Sequence, residues 1–205
     1  MTRPLPPECA RGAVEILATI GLPALLVSSE GNVIAANRLI EAMSDVIQWR
    51  GPGRVALRDA GSDAVFHSAL ATIRAEPAAV PRPFAIPATA QTPAIVACLV
   101  SISGPARDYF PDCAGILVLT TAAAPEPPPV DLIQSLFDLT SAEARVARGL
   151  AAGDTLDDIA AASGVSRNTV RSQLRGALAK TGCNRQSELA ALIGGITARI
   201  VRPSL

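Results

Sequence analysis

A basic run between Ser166 and Gly182 holds the residue types best suited to bind a polyanion. It contains three arginines, one lysine and no Asp or Glu, so no carboxylate within the run neutralises it. An α-helix fits the DNA major groove, where an Arg can donate two hydrogen bonds to guanine O6 and N7. Flanking Arg or Lys side chains can neutralise phosphates. The run therefore predicts a helix that contacts DNA.

Helical spacing divides this run into two faces. Apolar residues recur at i, i+4, i+7 and i+8 from Val170 to Leu178, so that side is expected to pack inward. The outward side is expected to carry Asn168, Arg171, Ser172 and Arg175.

Two shorter helices are predicted to position this one. Thr140 and Glu143 have the spacing of a capping box, and Gly153 is a suitable left-handed cap at the end of the first helix. A second helix starts at Thr155. Residues 163–166 then form a turn, with Val165 apolar between the helices and Ser166 capping the third helix. This order is that of a helix-turn-helix.

The segment LTSAEARVARGLAAGDTLDDIAAASGVSRNTVRSQLRGALAKTGCNRQSELAALI, residues 139–193, resembles the DNA-binding domain of LuxR/NarL-type regulators over its full four-helix length. The matching features are LT-x-x-E at the start, Ile159-Ala160, Gly164-Val165-Ser166, Thr169-Val170, Leu174 and the closing Lys180-x-Gly182.

The resemblance implies roles for individual residues. Base contacts are expected from Arg171, Ser172 and Arg175, and phosphate contacts from Thr155, Arg167, Asn168 and Lys180. Three positions depart from the pattern: Thr181 and Ser163 replace apolar residues, and Gly176 sits in mid-helix at a cost of about 1 kcal/mol relative to Ala. The alternative is an Arg-rich solvated helix in a domain that binds protein rather than DNA.

A fourth helix is predicted from Arg185 to about Val201, with an apolar stripe longer than a helix-turn-helix needs. The resemblance implies that this helix forms a homodimer. The alternative is packing within the domain. The stripe consists of Leu189, Ile193, Ile196 and Ile200.

The net charge of zero hides an uneven distribution. Residues 1–137 carry nine Arg against twelve acids, net −3, and residues 138–205 carry nine basic residues against six acids, net +3.

Four prolines in five positions from Pro125 disfavour helix and predict a stiff spacer. We therefore expect a domain at 1–121, a linker at 122–130 and a DNA-binding domain at 131–205. Seventeen of the eighteen basic residues are Arg, which is typical of a GC-rich bacterial genome.

The first domain alternates short Val-, Ile- and Leu-rich runs with segments of helical periodicity, which predicts an α+β fold. Residues 24–43, ALLVSSEGNVIAANRLIEAM, resemble the opening of a PAS domain: strand, hairpin at Gly31, strand, Asn37 and a short helix. The remaining strands suit an antiparallel sheet with flanking helices. A phosphoacceptor receiver and an acyl-homoserine-lactone domain are disfavoured, because an aspartate pair and an aromatic lining are missing. The alternative is an unrelated α+β domain used only for dimerisation.

The first domain offers few candidates for a cofactor, and none is expected. His67 is the sole histidine, so a multi-histidine metal site is excluded, and we expect this residue on the surface, with haem ligation as the alternative. Cys98 and Cys113 are expected on or beside neighbouring strands. They could sense oxidation, although buried free cysteines usually behave as small hydrophobes.

The remaining patterns argue against an enzyme and against a membrane partner. Common catalytic motifs do not occur in a plausible context, and the longest apolar run, residues 94–100, is too short to span a bilayer. Four scattered cysteines fit a reducing cytoplasm. The sequence predicts a DNA-binding regulator whose first domain takes a small-molecule or protein signal, with an adaptor that binds a partner regulator as the alternative.

Overall fold

The computed structural model describes residues 7–51, 53–76, 80, 82–122 and 126–197. These residues fall into two compact units, one ending at residue 122 and one beginning at residue 126. The mixed α and β composition predicted from the sequence is confirmed.

The first unit contains seven strands and four helices among its described residues. The strands are β1 (Ala24–Val27), β2 (Val33–Ala36), β3 (Ile47–Arg50), β4 (Arg54–Leu57), β5 (Arg82–Ile86), β6 (Ile95–Ser101) and β7 (Gly115–Thr121). The helices are α1 (Pro7–Thr19), α2 (Arg38–Glu41), α3 (Ala60–Ala75) and α4 (Pro105–Tyr109).

Five strands form one antiparallel sheet in the order β2-β1-β7-β6-β5, and β3 and β4 form a separate hairpin. The predicted antiparallel sheet is thereby confirmed. Sequence periodicity missed β3 and α4, which are only four and five residues long. Only Ile47 is buried in β3 and no residue is buried in α4, so neither element has the apolar pattern by which a strand or helix is recognised.

The sheet buries apolar side chains on both faces. On one face Leu25, Phe66 and Leu117 belong to the main core, to which α2, α3 and the hairpin also contribute. On the other face Val14 of α1 packs with Leu26 and Cys113. Strand β1 is consequently buried along its whole length.

The buried amide of Asn37 joins several of these elements. Its Oδ1 accepts hydrogen bonds from the backbone N–H groups of Ala24 (3.2 Å) and Ile40 (3.1 Å). Its Nδ2 donates to the carbonyls of Val14 (2.9 Å) and Leu22 (2.8 Å). One side chain therefore caps α2 and fastens α1 and the following turn to the start of β1.

The second unit contains helices and no strand among its described residues. It consists of α5 (Val130–Phe137), α6 (Ser141–Ala152), α7 (Leu156–Ser163), α8 (Arg167–Thr181) and α9 (Gln186–Thr197). Its core includes Ile133, Val146, Val170 and Leu189. The four predicted helices are present, but α5 precedes them, so a four-helix description of this unit is incomplete.

The end of the predicted linker also differs from the expectation of a spacer. Pro127 and Pro128 are buried, and a carboxylate oxygen of Glu126 lies 3.6 Å from the Arg148 guanidinium in α6. Pro129 caps α5 at its N-terminus, where a fixed φ and a missing N–H are tolerated. Within the described part of the chain, no helix is long and apolar enough to cross a membrane.

Candidate nucleic-acid interface

Helix α8 is positioned by well-formed caps on the helices before it. Thr140 and Glu143 form the predicted capping box of α6, with Glu143 Oε2 2.8 Å from the Thr140 nitrogen. Gly153 and Gly164 adopt the left-handed conformation after α6 and α7, with φ of 94° and 65°. Ser166 Oγ then accepts from the Thr169 N–H at 3.1 Å. The predicted turn is confirmed, although Val165 is 38% exposed rather than enclosed between the helices.

The two faces of α8 agree with the predicted division. Val170, Leu174 and Ala177 are buried in the core of the second unit. Four side chains on the other side are exposed and form no hydrogen bond or ion pair with any described residue. They are Asn168, Arg171, Ser172 and Arg175.

Arg167 at the start of α8 has an acidic partner. Its Nε lies 3.2 Å from Asp157 Oδ1 in α7, and both side chains are more than half exposed. Solvent screens this pair, so it contributes little stability. It does reduce the positive charge next to the exposed face of α8.

Lys180 near the end of α8 is more strongly engaged. Its Nζ lies 2.9 Å from Glu143 Oε2 and donates to the Asp138 carbonyl at 3.0 Å. The hydrogen bond from the Thr140 backbone N–H, and then that from Lys180, hold the pKa of Glu143 below its usual range. Because an ammonium has three N–H donors, Lys180 retains one for a phosphate.

Thr155 is poorly placed for its predicted phosphate contact. Its hydroxyl donates to Asp158 Oδ2 at 2.6 Å, and its backbone N–H donates to the same oxygen at 3.0 Å. These bonds, that of the hydroxyl first, keep the pKa of Asp158 below normal. In this geometry Thr155 has no free donor for a phosphate oxygen, because a hydroxyl carries a single proton.

The apolar stripe predicted for dimerisation lies mostly inside the second unit. Leu189 and Ile193 are fully buried in its core, and Ile196 packs against that core. Buried side chains have no surface left to lose at an interface, so a dimer contact by α9 would require its exposed side, which includes Leu192 (37% exposed). Ile200 lies outside the described residues. Dimerisation itself stays a prediction.

In the first unit, His67 lies on the surface, as predicted. Its side chain is 56% exposed and its Nε2 is 3.7 Å from Asp63 Oδ2. It lines an open cleft of about 490 Å³ together with Arg74 and the turn around Gly31. No group of three His, Cys, Asp or Glu residues that could hold a metal occurs within the described ranges.

The two cysteines considered for redox sensing are not paired. In the sheet register, Cys98 lies opposite Val118. Val118 is five residues further along the chain than Cys113, so the register does not pair the two cysteines. Burial, and secondly the charge of Asp112, raise the pKa of the Cys113 thiol to about 11. Cys113 is thus a protonated core residue at neutral pH.

Comparison with known proteins gave no match to a family model and none to a curated protein. Solved structures align at low similarity. A phage VqmA in complex with DPO is 16% identical, with a TM-score of 0.38, and the alignment covers 95% of this chain and 93% of that one. A VqmA–ligand–DNA complex from Vibrio cholerae is 15% identical, with a TM-score of 0.39 and coverages of 93% and 91%. Escherichia coli SdiA is 14% identical, with a TM-score of 0.27 and coverages of 95% and 93%. TM-scores this low do not establish a shared fold, so function has to be argued from the residues themselves.

Proposed function

We propose that this chain is a sequence-specific DNA-binding transcriptional regulator that inserts α8 into the major groove. One observation carries the proposal: Arg171, Ser172 and Arg175 share an exposed helix face and have no partner among the described residues. Guanidinium groups without internal partners are free to donate two hydrogen bonds each to guanine. The preceding turn and α7 hold this helix in a helix-turn-helix.

Phosphate contacts are assigned to the flanks of the same helix. Arg167 and Asn168 lie in its first turn, and Lys180 near its end retains one free donor. Such contacts fix the register of the helix on the duplex and carry no sequence information. We leave Thr155 out of this set because its donors are already used.

The first unit is proposed to modulate DNA access or homodimerisation in response to a small-molecule or protein signal. Its sheet, with helices on both faces, suits a PAS-like sensor. A homodimer would place two copies of α8 on two half-sites, spaced by about one helical turn of DNA.

An adaptor that binds a partner regulator is the second candidate. The observation favouring it is that Asp157 and Glu143 bind two of the four cations on α8. This compensation would weaken attraction to a polyanion.

Selection of bound sequences from a random duplex pool tests the proposal. We expect the wild-type chain to enrich a defined motif, and the double variant Arg171→Ala/Arg175→Ala to lose it, since a bidentate Arg–guanine contact is worth about 1–3 kcal/mol. Arg167→Ala is the matched control on the same helix and should weaken binding to all sequences alike. If the double variant keeps the motif at uniformly lower affinity, the base-reading assignment is wrong. If the wild type enriches nothing, the adaptor is favoured.

A further inference from the structure

The β3–β4 hairpin of the first unit holds two arginines directly opposite each other. Arg50 and Arg54 are partners in the strand register, next to the turn that joins the strands. Residues opposite each other in an antiparallel pair have Cβ atoms about 5 Å apart, and like charges there are destabilising. A negatively charged group bound between the two guanidinium groups would remove the repulsion between them.

Both guanidinium groups are available to such a group. Arg50 and Arg54 are exposed, and no carboxylate of the described residues lies within ion-pair distance of either. Arg50 makes one long hydrogen bond, 3.4 Å, to Gln48 Oε1 on the same face. Strand alternation places Ile47 and Leu57 on the other face, where they are buried in the main core.

The positive charge is concentrated in this hairpin. Residues 47–58 contain three arginines and no acid, although residues 1–137 as a whole are net negative. The third arginine, Arg58, has its Nε bonded to the Ser44 carbonyl. Arg50 and Arg54 are therefore the two guanidinium groups of the hairpin without a strong internal partner.

The turn end of the hairpin is tied to the main sheet. The Val33 N–H donates to the Gly53 carbonyl, and Asn32 forms an isolated bridge to Arg54. Gly51 and Gly53 adopt positive φ values of 60° and 80°, which glycine tolerates without strain. The Cα positions of the arginine pair are fixed before any ligand arrives, so binding would order only the side chains.

We propose that Arg50 and Arg54 bind a backbone phosphate of duplex DNA, as a contact separate from α8. This inference rests on the proposed function. Guanidinium forks match phosphate oxygens in a bidentate manner. A duplex is favoured over a free anion because both side chains are exposed on the surface of the hairpin. Phosphates on a duplex rim require no pocket, and many contribute at once.

The salt dependence of binding by the full chain tests this proposal. Affinity for a duplex carrying the selected motif is measured between 50 and 200 mM salt for the wild type and for Arg50→Gln/Arg54→Gln. Loss of the phosphate that the two arginines share should lower the slope of log K against log salt by about 0.9. The wild type would then lose about three- to fourfold more affinity over that range than the variant. The preferred sequence should not change, because phosphate contacts carry no sequence information.

Two further double variants separate a specific contact from net charge and from misfolding. Arg50→Lys/Arg54→Lys should keep most of the slope, because lysine still binds phosphate as a point charge. Arg11→Gln/Arg107→Gln removes the same charge from α1 and α4. Val14 of α1 and Phe110, which follows α4, pack on the other face of the sheet, so this control should leave the slope unchanged. The emission of Trp49, the sole tryptophan and a neighbour of Arg50, reports whether the hairpin remains folded.

The outcomes distinguish this proposal from the proposed function. An unchanged slope in a folded Arg50→Gln/Arg54→Gln variant overturns the hairpin contact alone, as does an equal fall in the Arg11/Arg107 control. Titration with inorganic phosphate at constant ionic strength provides another arm. If phosphate binds the wild type but not the Gln variant while the duplex slopes agree, the pair serves a free anion and the DNA contact is wrong. A wild type that binds no duplex overturns both proposals.

Discussion

The backbone of Gly176 in α8 lies against the side chain of Glu143 in α6. A Cβ added at Gly176 would stand 3.1 Å from Glu143 Cδ and still closer to Oε1. That carboxylate is held in place by the Thr140 N–H and by Lys180. The glycine in the middle of α8 thus makes room for a carboxylate that caps α6 and binds Lys180 of α8.

Gly176→Ala is therefore expected to lose stability instead of gaining the usual 1 kcal/mol of helix propensity. Displacing Glu143 from the capping box should cost about 0.5–2 kcal/mol. In a Glu143→Ala background the obstacle is gone, and Gly176→Ala should stabilise by up to about 1 kcal/mol. Chemical unfolding followed by helical circular dichroism measures all four members of the cycle. Additive effects of the two substitutions would contradict the steric coupling.

The depressed pKa of Glu143 predicts a specific acid sensitivity. Because the folded-state pKa lies below the unfolded value of about 4.3, the carboxylate contributes stability above that pH, and the contribution is lost as pH falls through the folded-state pKa. Hydrogen bonds from Ser62 and from Thr155 lower the pKa values of Asp59 and Asp158 as well. The difference between wild type and Glu143→Gln isolates the effect of Glu143. We expect this difference in thermal midpoint to be largest near pH 7 and to shrink below about pH 4. A constant difference would exclude a role for the charge.

The pair between Asp157 and Arg167 predicts a gain of affinity. Exposed ion pairs are worth about 0.2–1 kcal/mol, so Asp157→Asn should raise duplex affinity by roughly 1.4- to fivefold at low salt. The gain should shrink as salt increases, because screening removes the interaction. Asp154→Asn is the matched control, since Asp154 forms no ion pair among the described residues. If both variants gain equally, general charge rather than release of Arg167 is responsible.

The saturated amide of Asn37 predicts a large loss of stability when it is removed. Asn37→Ala removes four hydrogen bonds and leaves the buried N–H groups of Ala24 and Ile40 without their acceptor, at about 1–3 kcal/mol for each unsatisfied group. We expect the first unit to be destabilised by at least 3 kcal/mol, measured by Trp49 emission during chemical unfolding. Asn32→Ala, at a turn position whose side chain makes no bond to described residues, should change stability little. A mild effect of Asn37→Ala would mean that water replaces the amide.

The raised pKa of Cys113 predicts low reactivity. With a pKa of about 11, the thiol is almost entirely protonated at pH 7.5, and the thiolate is the nucleophile. Native alkylation followed by mass spectrometry should label Cys113 more slowly than the half-buried Cys9, Cys98 and Cys183. Mild peroxide should also leave Cys113 unoxidised. Preferential labelling or oxidation of Cys113 would revive the redox-sensor alternative.

Local sequence determined much of the second unit. Thr140, Gly153, Gly164 and Ser166 act on backbone groups within a few residues of themselves, so their caps and turns could be predicted without knowledge of the remaining chain. The two faces of α8 follow from helical periodicity in the same way. In the first unit, the alternating apolar runs predicted the antiparallel sheet.

Tertiary structure decided which of these side chains remain available. Asp157 and Arg167 are ten residues apart, and Glu143 and Lys180 are thirty-seven apart, so no local pattern relates them. The burial of Leu189 and Ile193 likewise depends on packing against α6, because an apolar stripe is the same whether a helix packs within its own domain or on a second copy. The sequence by itself determined the basic helix and its exposed face. Only the packing of separate helices, which brings distant carboxylates within ion-pair distance, left Arg171 and Arg175 free while engaging Arg167 and Lys180.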